Sequence, residues 1–196
     1  MIDDIVWREA CMLTPSCLMN LYASGQMERI LKSLPVAAMC AAMISTKPYC
    51  IYSGPEEDVT QKKESVNIQP FVEKNLLSIA AMDRDMMTTA VNISSRGVID
   101  DGEVIPGAIA FHNRWLLVTD NLYTRTLFSQ HLPELSSLST IDIFKYWADM
   151  LCPGAQEIED AVKSMYKRAR YMPHTGHRWY HWWDHLRQNS SNMRGK

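Results

Sequence analysis

The residues in this sequence that could do chemistry are two groups of acids. Asp100, Asp101 and Glu103 stand at the head of an apolar stretch, Val104 to Phe111, and Asp120 follows a run, Trp115 to Val118, that reads as a buried strand. A helix starting at the first group and a strand ending at the second bring Asp101 or Glu103 near Asp120 at one rim of a sheet. In an open α/β sheet, ligands bind at the carboxyl ends of the strands. Carboxylates gathered there can hold Mg²⁺ or Mn²⁺, hard cations that take oxygen ligands and keep waters for a phosphate substrate. Two plainer readings stand beside this one. Acids at a helix start are favoured by its dipole whatever the protein does, and Asp120-Asn121 also suits a turn.

The elements that must position these acids follow from patterning. Ala10 to Leu13 suits a first central strand, broken by Pro15, with Ser16 as N-cap of a helix carrying Leu18, Leu21 and Tyr22. Ser16 fits a cap better than a metal or phosphate contact. Asn20 lies in that helix, facing either the acidic rim or a structural partner. Beyond Gly25, the residues Met27, Ile30, Leu31 and Leu34 resume helical spacing up to Pro35. Val36 to Met39 predicts a second strand, followed by a helix that Pro48 limits. Gly54 to Glu64 reads as a polar exposed loop, Val66–Ile68 and Leu76–Ala81 as strands that pair, and Met82–Ile93 as a Met-rich helix whose methionines fill core. Short strands alternating with helices predict a mostly parallel sheet covered by helices. The division expected is a domain over 1–150 and a helical tail over 151–196 packed on it.

Composition excludes several classes. Hydrophobic residues make up 46% and charged residues 21% of 196, which is globular rather than disordered. The longest apolar stretch, near Val36 to Ile44, is too short to span a membrane, and no secretory signal pattern opens the sequence. Five scattered cysteines without a CxxC pair suggest packed free thiols in a reducing compartment, hence a cytoplasmic protein.

The net charge of −2 conceals an asymmetry, because after Ala161 there are eight Lys and Arg against one acid, Asp184, giving +7 there and −9 before it. That predicts docking of the tail on the body or a polyanionic partner. The tail also holds His174, His177, His181 and His185 among Trp179, Tyr180, Trp182 and Trp183. No cysteine or carboxylate completes a zinc set of known spacing. The aromatic residues either anchor the tail to the body or, with arginine, grip single-stranded nucleic acid, and the anchor reading is preferred.

Several phrases together resemble the PIN-domain family, small α/β metal-dependent nucleases that include ribonuclease toxins of bacterial toxin–antitoxin pairs. They are Leu13 to Leu21, Leu21 to Gly25, the Asp100 to Glu103 helix start, and Thr119-Asp120. A PIN-like bacterial group is matched further by Asn67 to Pro70, Ser139 to Ala148, Arg168 to Pro173 and Tyr180 to Trp183. The resemblance covers nearly the whole chain. It implies a PIN-like α/β/α sandwich and an acidic site in which Glu103, Asp120 and Asp101 are the catalytic and metal-binding residues. The implied partners are RNA, an antitoxin-like or other complex protein, and a second copy of the chain; no membrane is implied.

Departures from the family pattern fall in the site itself. Its first acid is matched by Thr14, or by Pro15 in a register shifted by one, its second by Thr46, and a frequent further Asp by Asn121. With half the usual carboxylates the resemblance implies weak Mg²⁺ or Mn²⁺ binding at best. Two functions remain from different classes. One is a catalytically degenerate PIN-like protein that acts by binding nucleic acid or protein. The other is a metal-dependent endoribonuclease, with any missing acids supplied by a partner or a dimer.

Overall fold

The computed structural model describes residues 5–45, 48–53 and 62–189. Thr46 and residues 54–61 lie outside them, and so therefore does most of the expected polar loop. Five short parallel strands form the central sheet: β1 (Ala10–Leu13), β2 (Ala37–Ala41), β5 (Ser78–Ala80), β6 (Leu116–Val118) and β7 (Ser137–Leu138). Their order across the sheet is β5-β2-β1-β6-β7. A separate antiparallel pair is made by β3 (Cys50–Ser53) and β4 (Lys62–Ser65).

Side-chain alternation along the strands divides the core. Cys11 and Leu13 of β1, Ala38 and Cys40 of β2, and Leu116 and Val118 of β6 point to one face. Met12, Ala41 and Leu117 point to the other. With both faces covered, the strands read as nearly continuous apolar runs, as buried parallel strands do. The first face is covered by α1 (Pro15–Ala23), α2 (Met27–Ser33), α7 (Thr140–Leu151), α8 (Ala155–Ala169) and α9 (Tyr180–Gln188). Covering the second are α4 (Arg84–Ser94), α5 (Asp101–His112) and α6 (Leu122–His131). A short α3 (Gln69–Glu73) leads into β5.

The helix limits have local causes. After α1 the chain turns through Gly25 at φ 71, a left-handed conformation that glycine adopts without a Cβ clash. Within α5, a Cβ on Gly107 would collide with the ring of Phe128, so this glycine lets α5 and α6 approach closely. Asp100 caps α5 by accepting from the Gly102 amide at 2.7 Å.

Several expectations are corrected here. The N-cap of α1 is Thr14, not Ser16; Pro15 occupies the first helical position, where its missing N–H costs nothing, and the helix starts two residues earlier than expected. The expected helix before Pro48 is only a 3-10 turn, Ala42–Ser45. Val66–Ile68 forms no strand, and β5 pairs with β2 instead. Lys62 to Glu64, expected in a loop, belong to β4. Cys11, Cys17 and Cys40 are buried free thiols, but Cys152 is exposed at the end of α7. Among the described residues no helix is long and apolar enough to cross a membrane.

After Cys152 the chain adds Ala161, Val162 and Met165 of α8 and Trp183 of α9 to the core that α1 shares. Trp183 is fully buried between Phe144 and Tyr171, with ring centroids 5.9 and 5.0 Å away. Trp182 and Tyr180 are only half-buried, less than the aromatic tail pattern suggested. Lys145 lies 4.8 Å from the Trp179 ring and 5.3 Å from that of Trp182.

Candidate functional site

The strand order fixes where a site can form. From β1 the chain crosses to β2 on one side, while β6 lies on the other, so the connections diverge between β1 and β6. Crevices at such a switch point are where open α/β sheets take ligands. Thr14 directly follows β1 and Thr119-Asp120 directly follow β6, and the Thr14 amide donates to the Val118 carbonyl at 3.1 Å.

Glu103 and Asp120 both reach this point. Glu103, in the first turn of α5, is 8% exposed. It accepts from the Thr119 hydroxyl at 2.5 Å and from Ser16 Oγ at 3.3 Å. Burial pushes its carboxyl up to about 7, helped by the charges of Asp120 and Asp100 and opposed by the two hydroxyl donors. Between the acids lies Thr14, fully buried, its hydroxyl 3.0 Å from Ser16 Oγ.

Asp120 is the most heavily bonded group in the site. Its Oδ2 accepts from Asn20 Nδ2 at 2.9 Å, Thr140 Oγ1 at 2.5 Å and Cys17 Sγ at 3.5 Å. Its Oδ1 accepts from the Thr140 amide at 2.9 Å and the Tyr171 hydroxyl at 3.2 Å. Burial first, then the charge of Asp120, raises Cys17 and Tyr171 well above their ordinary values, so both stay protonated as donors. An ionised carboxylate offers about four lone-pair sites. Five protein donors leave none for a cation.

The other sequence-selected residues separate into roles. Asn20 is on the rim and bonds Asp120. Ser16, inside α1 rather than capping it, bonds Glu103. Asn121 caps α6 by accepting from the Thr124 amide at 3.1 Å. Asp101 is exposed at the start of α5 and is not among the partners of the acid pair. Thr46 lies outside the described residues. Thr140 and Tyr171 hold Asp120 but were not selected as site residues. Both sit inside matched phrases, Ser139 to Ala148 and Arg168 to Pro173, which was the one available signal.

A Mg²⁺ or Mn²⁺ ion does not fit the residues present. Asp120 is already met by five donors, burial holds the Glu103 carboxyl above the usual carboxylate range, and Thr14 adds no charge. Among the described residues no group of three or more His, Cys, Asp or Glu is gathered to hold a metal ion.

A second cluster beside Asp120 combines Ser139, Asp142 and His177. His177 Nε2 lies 3.0 Å from Ser139 Oγ and 3.3 Å from Asp142 Oδ2, while its Nδ1 accepts from the Trp179 amide at 3.2 Å. A nucleophilic triad needs serine and aspartate on opposite ring nitrogens. Here one nitrogen meets both, so the cluster ties the segment after α8 to the capped start of α7. Burial alone would raise Asp142, but hydrogen bonds from His177 and Ser139 hold it well below the usual carboxylate range.

No protein-family model and no curated protein matches the chain. Among solved structures it is similar to a chain in the crystal structure of VapBC2 from Rickettsia felis bound to a DNA fragment from their promoter. The identity is 12%, over 66% of this chain and 98% of that one, with a TM-score of 0.39.

Proposed function

We propose that this chain is a PIN-like protein that does not hydrolyse phosphodiesters and acts by binding nucleic acid, in company with an antitoxin-like protein or a second copy of itself. The observation that carries this reading is the saturation of Asp120. Five donors from α1, the start of α7 and the segment after α8 occupy the carboxylate that a metal-dependent nuclease would leave open. The segment 151–189 then serves as a clasp, because Tyr171 belongs both to the aromatic cluster around Trp183 and to the shell of Asp120.

One observation favours the alternative, a Mg²⁺- or Mn²⁺-dependent endoribonuclease: Glu103 and Asp120 do converge at the switch point of the sheet. Incubation with single-stranded RNA and Mn²⁺ separates the two. The binding reading expects no cleavage above background, and expects acids restored at Thr14 and Thr46 to raise Mn²⁺ affinity in calorimetry. Robust cleavage by the native protein that disappears in Glu103→Ala overturns it.

A further inference from the structure

A sizeable concavity lies beside the acid pair and includes Asp120 in its lining. It is a cleft of about 680 Å³ between α6, the β7–α7 junction and the segment 171–178. Clefts of roughly 300–1,000 Å³ accommodate cofactor- and nucleotide-sized ligands.

Its charges are layered. At the inner end Asp120 is held by five donors, and Asp142 is met by His177 at 3.3 Å and Arg178 at 3.3 Å. Arg125, which also lines the cleft, forms no ion pair among the described residues. It stands on α6 in line with Ser129, one turn on, and both side chains line the cleft. His174 is exposed and lines it as well. Arg125 and His174 thus bring nitrogen donors to the cleft, while exposed Leu122 and Met172 give it apolar surface.

We infer that this cleft is a binding site for a nucleotide, with the phosphate held at the Arg125 and His174 rim and the base packed on the apolar wall. The guanidinium fork of arginine matches a phosphate's paired oxygens, and a purine or pyrimidine supplies the flat apolar body that the wall accepts. Phosphodiester backbone and free nucleotide share this chemistry. The assignment rests on the reading of the chain as a binding protein and requires no metal.

Fluorescence anisotropy of the full chain with mant-labelled adenosine monophosphate in EDTA tests it, with inorganic phosphate, acetate and a short oligouridylate as competitors. Saturable binding is expected, displaced by phosphate but not by acetate. Arg125→Glu should weaken it by about tenfold or more, the scale of one charge-assisted hydrogen bond. Ser129→Trp, at an exposed position, should weaken it by filling the cleft.

Displacement by oligouridylate at lower concentration than by unlabelled mononucleotide assigns the site to a strand, and the reverse order assigns it to a free nucleotide. Either order supports the cleft. Absence of saturable binding, or binding unchanged in both variants, overturns it. RNA cleavage is read separately with Mn²⁺, so an active nuclease would sink the non-hydrolytic reading while leaving the Arg125→Glu result to stand on its own.

Discussion

Removing the carboxylate of Asp120 distinguishes a structural hub from a metal site, because the two respond with opposite sign. In a working acidic site, carboxylates crowded without their metal repel one another, and deleting one leaves the apo protein as stable or more so, the usual trade between function and stability. In this structure Asp120→Ala would strand Asn20 Nδ2, the Thr140 amide and the Tyr171 hydroxyl, all on buried residues. An unsatisfied buried donor costs about 1–3 kcal/mol. The Thr140 hydroxyl can rotate to another acceptor, and Asp120 is itself half-buried, so water can enter the vacated space. The net loss should be about 3–5 kcal/mol.

For a chain of this size that corresponds to a fall in Tm of about 6–20 °C. Asp120→Asn keeps the shape and the Oδ1 acceptor but turns an amide towards Asn20, and should lose about 1–3 kcal/mol. Urea denaturation and calorimetry in EDTA provide the measurement. A variant as stable as the native protein, or more stable, would refute the hub and restore Asp120 to the role of a metal ligand.

Three further outcomes follow from the core and the site. Glu103 has a folded pKa of about 7, above its unfolded value of about 4.3. The stability it contributes is therefore full below the unfolded pKa and lost as pH rises through 7, by about 3 kcal/mol at pH 8. Glu103→Gln should match the native protein near pH 4 and exceed it at pH 8; parallel profiles would sink this reasoning. Trp183→Ala should cost about 3–5 kcal/mol as a cavity in the aromatic cluster. Trp183→Phe should cost less, because the buried indole N–H has no partner. Truncation after Tyr171 should lower Tm equally in low and high salt, and a loss confined to low salt would mean that charge pairing rather than aromatic burial holds the tail.

Much of the architecture was legible because it follows from strongly periodic or punctuated segments. β1 and β6 are short apolar runs ended by polar residues, and the start of α5 carries its cap in Asp100. The region from Pro48 to Ile68 was not legible. Its antiparallel pair uses Lys62, Lys63 and Glu64, which have no apolar alternation, and the pairing is stabilised by long-range contacts such as Arg168 with Glu64 at 2.9 Å. Ser16 misled because serine is a preferred N-cap, yet a proline one residue earlier takes the first helical position and shifts the cap to Thr14.

The acids themselves were found from spacing, but their environment was not. The donors to Asp120 come from Cys17 and Asn20, from Thr140 and from Tyr171, three segments up to 154 residues apart, and no local pattern links them. Their convergence bears on the setting of Thr14. Directly after β1, Thr14 is an uncharged, fully buried side chain 3.0 Å from Ser16 Oγ. A cation would have nothing there to balance its charge, and the remaining carboxylate at the strand end would be costly to bury alone. Asn20, Thr140 and Tyr171 meet that requirement with hydrogen bonds instead. Asp120 and its donors therefore depend on one another: Asp120 without its donors is an unpaired charge, and the donors without Asp120 are unpaired dipoles.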